Sequence, residues 1–253
     1  MSVSRDEIMR EIKVLLRPEQ FKDYCPNGLQ VEGKSEIKKI VSGVTACQAL
    51  IDAAIAAQAD LLLVHHGYFW RGEDETLTGI KRTRVQSLLA NDVNLLAYHL
   101  PLDAHADLGN NAQLGRLLGI TETGDLGKQN NHSIGLVGRF DKPLTPKELS
   151  ELLSERLGRE PLHIDGGPQQ ISTVAWCTGA AQNFIDLALT AGADAYISGE
   201  ISEPTVHTAR EAGIHYYSAG HHATERYGVQ ALARHLADKF ALEHEFIDID
   251  NPV

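Results

Sequence analysis

The 253 residues carry a formal net charge of −11, with 43% hydrophobic and only 6% aromatic side chains. That acidity argues against a general binder of nucleic acid or anionic membranes, whose footprint is basic. The length allows one large domain or two modest ones, and the hydrophobic share is enough for a real core. Cys25, Cys47 and Cys177 lie far apart with no Cys-x-x-Cys spacing, so neither a disulfide framework nor a thiolate zinc site is indicated. No apolar leader follows Met1 and no run approaches the ~20 apolar residues of a membrane span. A cytoplasmic protein with reduced thiols is the expectation.

Along the chain, Ser4 and Glu7 have capping-box spacing, and Ile8, Ile12, Leu15 and Leu16 recur at helical spacing, so a helix is expected from Arg5. Cys25-Pro26-Asn27-Gly28 is a turn signal. Ile37 to Val44 reads as a buried strand, Gln48 to Ala57 as an Ala-rich helix, and Leu61 to Val64 as a short buried strand ending in His65-His66. Arg82 to Asn91 reads as a helix and Val93 to Tyr98 as a strand running into His99-Leu100-Pro101-Leu102-Asp103. Thr121 to Asn131, rich in Gly, Asn and charge, reads as a loop. Ile134 to Phe140 follows as a strand, Thr145 to Leu157 as a helix and Pro161 to Ile164 as a strand. Pro204 to Gly213 reads as a helix and Ile214 to Ala219 as a strand. Gly220-His221-His222-Ala223-Thr224-Glu225 then leads into a final helix, His222 to Phe240.

The chain repeats itself. At an offset of 134, Ala46/Ala180, Gln48/Gln182, Ile51/Ile185, Asp52/Asp186, Ala54/Ala188, Ala57/Ala191, Ala59/Ala193 and Asp60/Asp194 are identical. Both copies read strand, helix, short strand, polar cluster, then helix and strand again. The first cluster is His65-His66; the second, Gly199-Glu200, lacks imidazoles. Strands alternating with helices predict an α/β fold of two intertwined duplicated repeats with mixed, mostly parallel sheets. Residues 1–120 with 220–253 are expected to form the first repeat, carrying most of the metal ligands, and residues 121–219 the second.

Three strand-like runs thus end in ligand-type residues, at His65-His66, at His99 to Asp103 and at His221 to Glu225. Carboxyl ends of strands are where α/β proteins build sites, and imidazoles with carboxylates suit divalent metals. Adjacent strand residues face opposite ways, so the chain is expected to leave strand geometry at the His pair, which Gly67 permits. Asp103 is the natural bridging carboxylate, and His99 beside it is a ligand, a hydrogen-bonding partner or a proton shuttle. His221 and Glu225, four apart, share a helix face, with His222 directed elsewhere. His105, His132, His163, His207, His215, His235 and His244 lack a comparable partner and read as structural or exposed. Two neighbouring ions lower the pKa of a bridging water and polarise a phosphoryl or carbonyl-type oxygen, so hydrolysis is the default reaction class. No dinucleotide, P-loop or Gly-x-Ser-x-Gly spacing is present.

The chain resembles the Nif-three-like dinuclear-metal family, close to its gamma-proteobacterial members, which also carry the label GTP cyclohydrolase I type 2 homologue. The matching stretches are PNGLQVEG at Pro26–Gly33, VHHGYFW at Val64–Trp70, YHLPLDAH at Tyr98–His105, SGEISE at Ser198–Glu203 and SAGHHATER at Ser218–Arg226. The resemblance implies two intertwined α/β repeats. It also implies a dinuclear centre on His65, His66, Asp103, His221 and Glu225, and a ring-shaped homohexamer with its metal sites facing a central cavity. Two divalent ions per chain, zinc, iron or manganese, are expected. The expected activity is metal-dependent hydrolysis of a small nucleotide-like or heterocyclic substrate, GTP among the candidates, with His99 as general acid or base. The alternative is a non-catalytic metal-binding regulatory or protein-interaction protein. Neither nucleic acid nor membrane is expected as a partner.

Overall fold

The computed structural model describes residues 2–129 and 132–253. In chain order the first elements are β1 (Val3–Ser4), α1 (Arg5–Leu16), β2 (Gly28–Val31), β3 (Glu36–Ile37), β4 (Lys39–Thr45), α2 (Gln48–Ala56), β5 (Leu61–His66), α3 (Gly79–Ala90), β6 (Asn94–Ala97) and α4 (Leu100–Asp103). Next come α5 (Asn110–Leu117), β7 (Thr121–Gln129), β8 (His132–Leu144), α6 (Pro146–Leu157), β9 (Leu162–Ile164), β10 (Ile171–Cys177), α7 (Ile185–Thr190), β11 (Ala195–Ser198), α8 (Glu203–Ala212), β12 (His215–Ser218) and α9 (His221–Thr224). The chain closes with α10 (Arg226–Phe240) and β13 (Glu243–Phe246).

The chain divides into two compact units. The first is Met1–Gly109 with Gly228–Asp250, and the second is Asn110–Tyr227 with Asn251–Val253, so each is built from two separate stretches. The expected limits at 120 and 220 differ from these. Leu114 and Leu118, on and after α5, pack in one cluster with Trp176 and Ile197 of the second unit, and α9 also lies within that unit.

The first unit holds a five-stranded sheet in the order β13-β4-β5-β6-β2, parallel except for β2 at its edge. Successive side chains of a strand point to opposite faces. Leu62 and Val64 of β5 accordingly meet Leu50, Ile51 and Leu88 of α2 and α3. Leu61 and Leu63 meet Ile8 and Ile12 of α1 and Leu232 and Leu236 of α10. Burial on both faces explains why Leu61 to Val64 reads as an unbroken apolar run. Helix α1 is capped as expected, with Ser4 Oγ accepting from the Glu7 amide.

The second unit holds a six-stranded sheet in the order β7-β8-β10-β11-β12-β9, parallel through β10-β11-β12 and antiparallel at both edges. Val174 and Trp176 pack with Leu149 and Leu153 of α6, while Ala175 and Cys177 pack with Ile185 and Ala188 of α7. The expected loop over Thr121 to Asn131 is instead the strand β7, paired antiparallel with β8; Asn130 and Asn131 lie outside the described residues. An edge strand can keep its polar side chains in solvent, and its glycines fit the local geometry. The register shifts between Glu122 and Gly124, and Gly127 takes φ +72°.

The duplication is visible atom by atom. Asp60 Oδ2 accepts the backbone N–H groups of Lys38 and Lys39 at 2.9 and 3.1 Å. Asp194 Oδ2 accepts those of Ser172 and Thr173, the positions 134 residues on, at 2.9 and 2.8 Å. In each copy the carboxylate before the second strand ties down the start of the first. Charge-assisted bonds of this kind contribute about 1.5–3 kcal/mol. Asp60→Ala and Asp194→Ala are therefore each expected to lower unfolding stability by about that much. Urea unfolding checks this, and an unchanged midpoint in both variants would refute the shared role. Among the described residues, no helix is long and apolar enough to cross a membrane.

Candidate metal-binding site

In the first unit, β5 delivers the His pair. Strand pairing does not stop before it: His66 is still in register with Thr45 of β4. The expected departure from strand geometry thus comes one step later, at Gly67, where an added Cβ would collide with the Gln30 side chain and with Ala97. The two rings are turned toward the neighbouring strands. His65 Nδ1 bonds the Tyr98 carbonyl just beyond β6 at 2.9 Å, and His66 Nδ1 meets Thr45 Oγ1 at the end of β4 at 3.3 Å. Their centroids are nonetheless only 4.5 Å apart. The Tyr98 carbonyl only accepts, so His65 Nδ1 carries the hydrogen and its Nε2 is left as the ligating nitrogen.

Helix α4 brings in Asp103, which is buried, with Oδ1 3.5 Å from His65 Nε2. The His99 ring lies 5.1 Å from that of His65 and 5.7 Å from that of His66. The Trp70 indole stands edge-on to His99 at 5.0 Å. His65, His66 and His99 each offer a ligand atom to one small volume.

His99 has a partner that the sequence reading missed. Its Nδ1 lies 2.7 Å from Asp23 Oδ1. Asp23 Oδ2 accepts from the Asn27 side chain at 2.8 Å and from the Leu100 amide at 3.0 Å. Burial pulls the Asp23 carboxyl upward, but the bond to His99, its charge and the Asn27 bond outweigh this and hold it below the usual range. Asn27 Oδ1 also accepts the His99 amide at 2.8 Å, so the stretch read as a turn is an arm of the site. Burial first, then the charges of Asp23 and Asp103, push the Cys25 thiol up to about 12. Asp23, Cys25 and His99 form another ligand-type group.

In the second unit, α9 begins just after Gly220, whose φ is +99°. His221 Nε2 lies 3.0 Å from Glu225 Oε2, so the pair at i and i+4 is brought together as expected. The final helix, however, is not continuous. Glu225 sits between α9 and α10 and is buried, not at an exposed helix start. Gly179, at φ +67° behind the pair, has no room for a Cβ, which would strike the Glu225 carboxylate and approach His221 Nε2. Glu200, which follows β11, was not anticipated: its Oε1 is 2.7 Å from His221 Nδ1. Burial lowers the His221 pKa, but the bonds and charges of Glu225 and Glu200 override it and push it up to about 9.

The donors in both units are imidazole nitrogens and carboxylate oxygens. The 3.5 Å and 3.0 Å nitrogen–oxygen separations match the ligand–ligand edges around an ion bound at about 2.0–2.2 Å. The residues therefore fit a divalent metal, with zinc, iron and manganese all suited to such donors. Of the histidines set aside, His207 and His235 pair with Glu203 and Glu11 at 3.0 and 3.1 Å. His163 and His215 lie together with Asp165 as a further ligand-type group.

A sequence profile of Duf34/NIF3 (NGG1p interacting factor 3) matches residues 3–252. The chain belongs to the DUF34/NIF3 family. This NIF3-family chain is 54% identical to a GTP cyclohydrolase 1 type 2 homolog of Pseudomonas aeruginosa over the full length of both chains. It is 57% identical to the protein of that name from Vibrio cholerae, covering 94% of this chain and 95% of the other. The solved structure of the protein ybgI, described as of unknown function, superimposes with a TM-score of 0.95 at 50% identity. That match covers 99% of this chain and 100% of the other.

Proposed function

We propose that this NIF3-family chain is a metal-dependent hydrolase of small nucleotide-like or heterocyclic substrates. The observation that carries the reading is the Asp23–His99 pair beside the buried His65 and Asp103 and the half-buried His66. In this pair the carboxylate holds one ring nitrogen and leaves the other to carry a proton, the role we assign to His99. His65, His66, Asp103, His221 and Glu225 are the ligands we assign to two divalent ions per chain. Such ions, when bound, supply Lewis acidity and make water easier to deprotonate.

Asp23 stays ionised and holds His99 through Nδ1, which leaves Nε2 to exchange the proton with the reacting group. Trp70 packs edge-on against His99. The relatives' name makes GTP the first substrate to test. We further propose a cytoplasmic homohexamer, whose mass light scattering would measure.

The experiment incubates metal-loaded protein with GTP and a panel of nucleotides and heterocycles, seeking formate and pterin-type products from GTP. Turnover is expected, and His99→Gln is expected to reduce it by about 10²-fold with metal content unchanged. Full activity in His99→Gln would remove its role. Binding without turnover across the panel would favour the non-catalytic regulatory reading.

A further inference from the structure

We propose that His163, Asp165 and His215 form a second, mononuclear metal site in the second unit, taking Zn2+. Strand β9 is the edge strand beside β12, with His163 opposite Tyr217 and Ile164 opposite Tyr216. That register carried one residue further sets Asp165 beside His215. By the two-residue period of strands, His163 and Asp165 share a face with His215 and Tyr217. The His163 ring lies flat on Tyr217, centroids 4.5 Å apart at 10°, which fixes its plane.

His215 is completely buried. Its Nε2 meets the Pro168 carbonyl at 2.8 Å. A carbonyl only accepts, so Nε2 carries the hydrogen, and in the neutral ring Nδ1 holds the lone pair. That atom lies 3.1 Å from His163 Nε2 and 3.4 Å from Asp165 Oδ1. Ligands at about 2.0–2.2 Å around tetrahedral zinc are spaced roughly 3.3–3.5 Å apart, close to both separations. An imidazole whose other nitrogen is held by a carbonyl is also the usual arrangement of a ligating histidine. The loop that supplies Pro168 is shaped for it: a Cβ on Gly167 would lie 2.6 Å from His215 Cδ2.

The first repeat shows what the fold itself requires at these positions. There Asn94 occupies the place of His215, as the strand registers Leu61–Asn94 and Ala195–His215 show. Leu29 and Leu96 stand where the second repeat has His163 and Tyr217. Asn94 clasps its loop through the Lys34 carbonyl at 2.8 Å and the Gly33 amide at 2.9 Å. Clasping the loop therefore needs only an amide at the place of His215, and the place of His163 needs only a leucine. The Asp165 side chain is 78% exposed, giving an ion entry from solvent and water a fourth position. Two nitrogens and one oxygen suit zinc, with nickel and copper as competitors.

The test strips the full-length protein with chelator, titrates it with Zn2+ and counts bound zinc by competition with a chromogenic chelator. Wild type is expected to take up one more equivalent than His163→Gln, and Asp165→Asn to hold that equivalent more weakly. Asp165 is exposed, so its variant folds even where a histidine variant does not. Because the readout is a difference from wild type, it stands whatever the His65–Asp103 and His221–Glu225 ligands hold. Zinc counts and affinities equal to wild type in both variants would overturn the proposal.

Discussion

Asp103→Ala is expected to yield a folded protein that does not retain its metal ions and has lost turnover by roughly 10³–10⁴-fold. Asp103 is buried at the end of α4. Its peptide is fixed independently of the carboxylate, since its N–H bonds the His99 carbonyl at 3.1 Å. Gly109 packs against the carbonyls of Leu102, Asp103 and His105, where a Cβ has no room. Truncating the side chain therefore removes the carboxylate without removing the turn that presents it. What is lost is the anionic oxygen facing His65 Nε2 at 3.5 Å. A metal's contribution to stabilising developing charge amounts to several kcal/mol, and each 1.36 kcal/mol is tenfold in rate. Circular dichroism would confirm the fold, elemental analysis the metal content and product assay the rate. Full metal occupancy with undiminished turnover in Asp103→Ala would end the ligand assignment and Asp103's part in the reaction.

What could be read in the sequence follows the range of the interactions. Leu61 to Val64 announces itself because a strand buried on both faces must be apolar throughout, and the ligand-type residues stand where such runs end. The Asp60/Asp194 identity survives because each carboxylate makes the same two backbone bonds. β7 was hidden because an edge strand need not alternate strictly and because Gly124 and Gly127 mimic a loop. Asp23 was hidden because it meets His99 across 76 residues of chain. Glu200 reaches His221 across 21, a contact that no local pattern encodes. His163 and His215 looked solitary because their pairing depends on the β9–β12 register, which spacing along one strand does not reveal. Only the interruption at Glu225 runs against local preference: a continuous helix through 222–240 is the simpler reading, and the buried contact with His221 prevails over it.

Glu225→Gln is expected to release about one of the two ions per chain that we assign to His65, His66, Asp103, His221 and Glu225, through loss of an anionic oxygen ligand. Glutamine keeps the volume at a buried position, which matters because Gly179 already packs against the carboxylate. The accompanying pH effect has a definite sign. In the metal-free protein Glu225 and Glu200 raise the His221 pKa to about 9, so below that pH an incoming ion must displace a proton. Apparent affinity should then strengthen about tenfold per pH unit up to about 9 and level off above it. The corresponding stabilisation of the metal-free fold is fully present below the unfolded value of about 6.5 and is lost as pH rises through about 9. In Glu225→Gln one of the two carboxylates is gone, so both the plateau in affinity and the loss of stability should shift to lower pH. Elemental analysis of the two proteins, with titrations of zinc at several pH values, decides the matter. Equal occupancy and the same pH profile in wild type and Glu225→Gln would remove Glu225 from the ligand set and assign the raised His221 pKa to Glu200 alone.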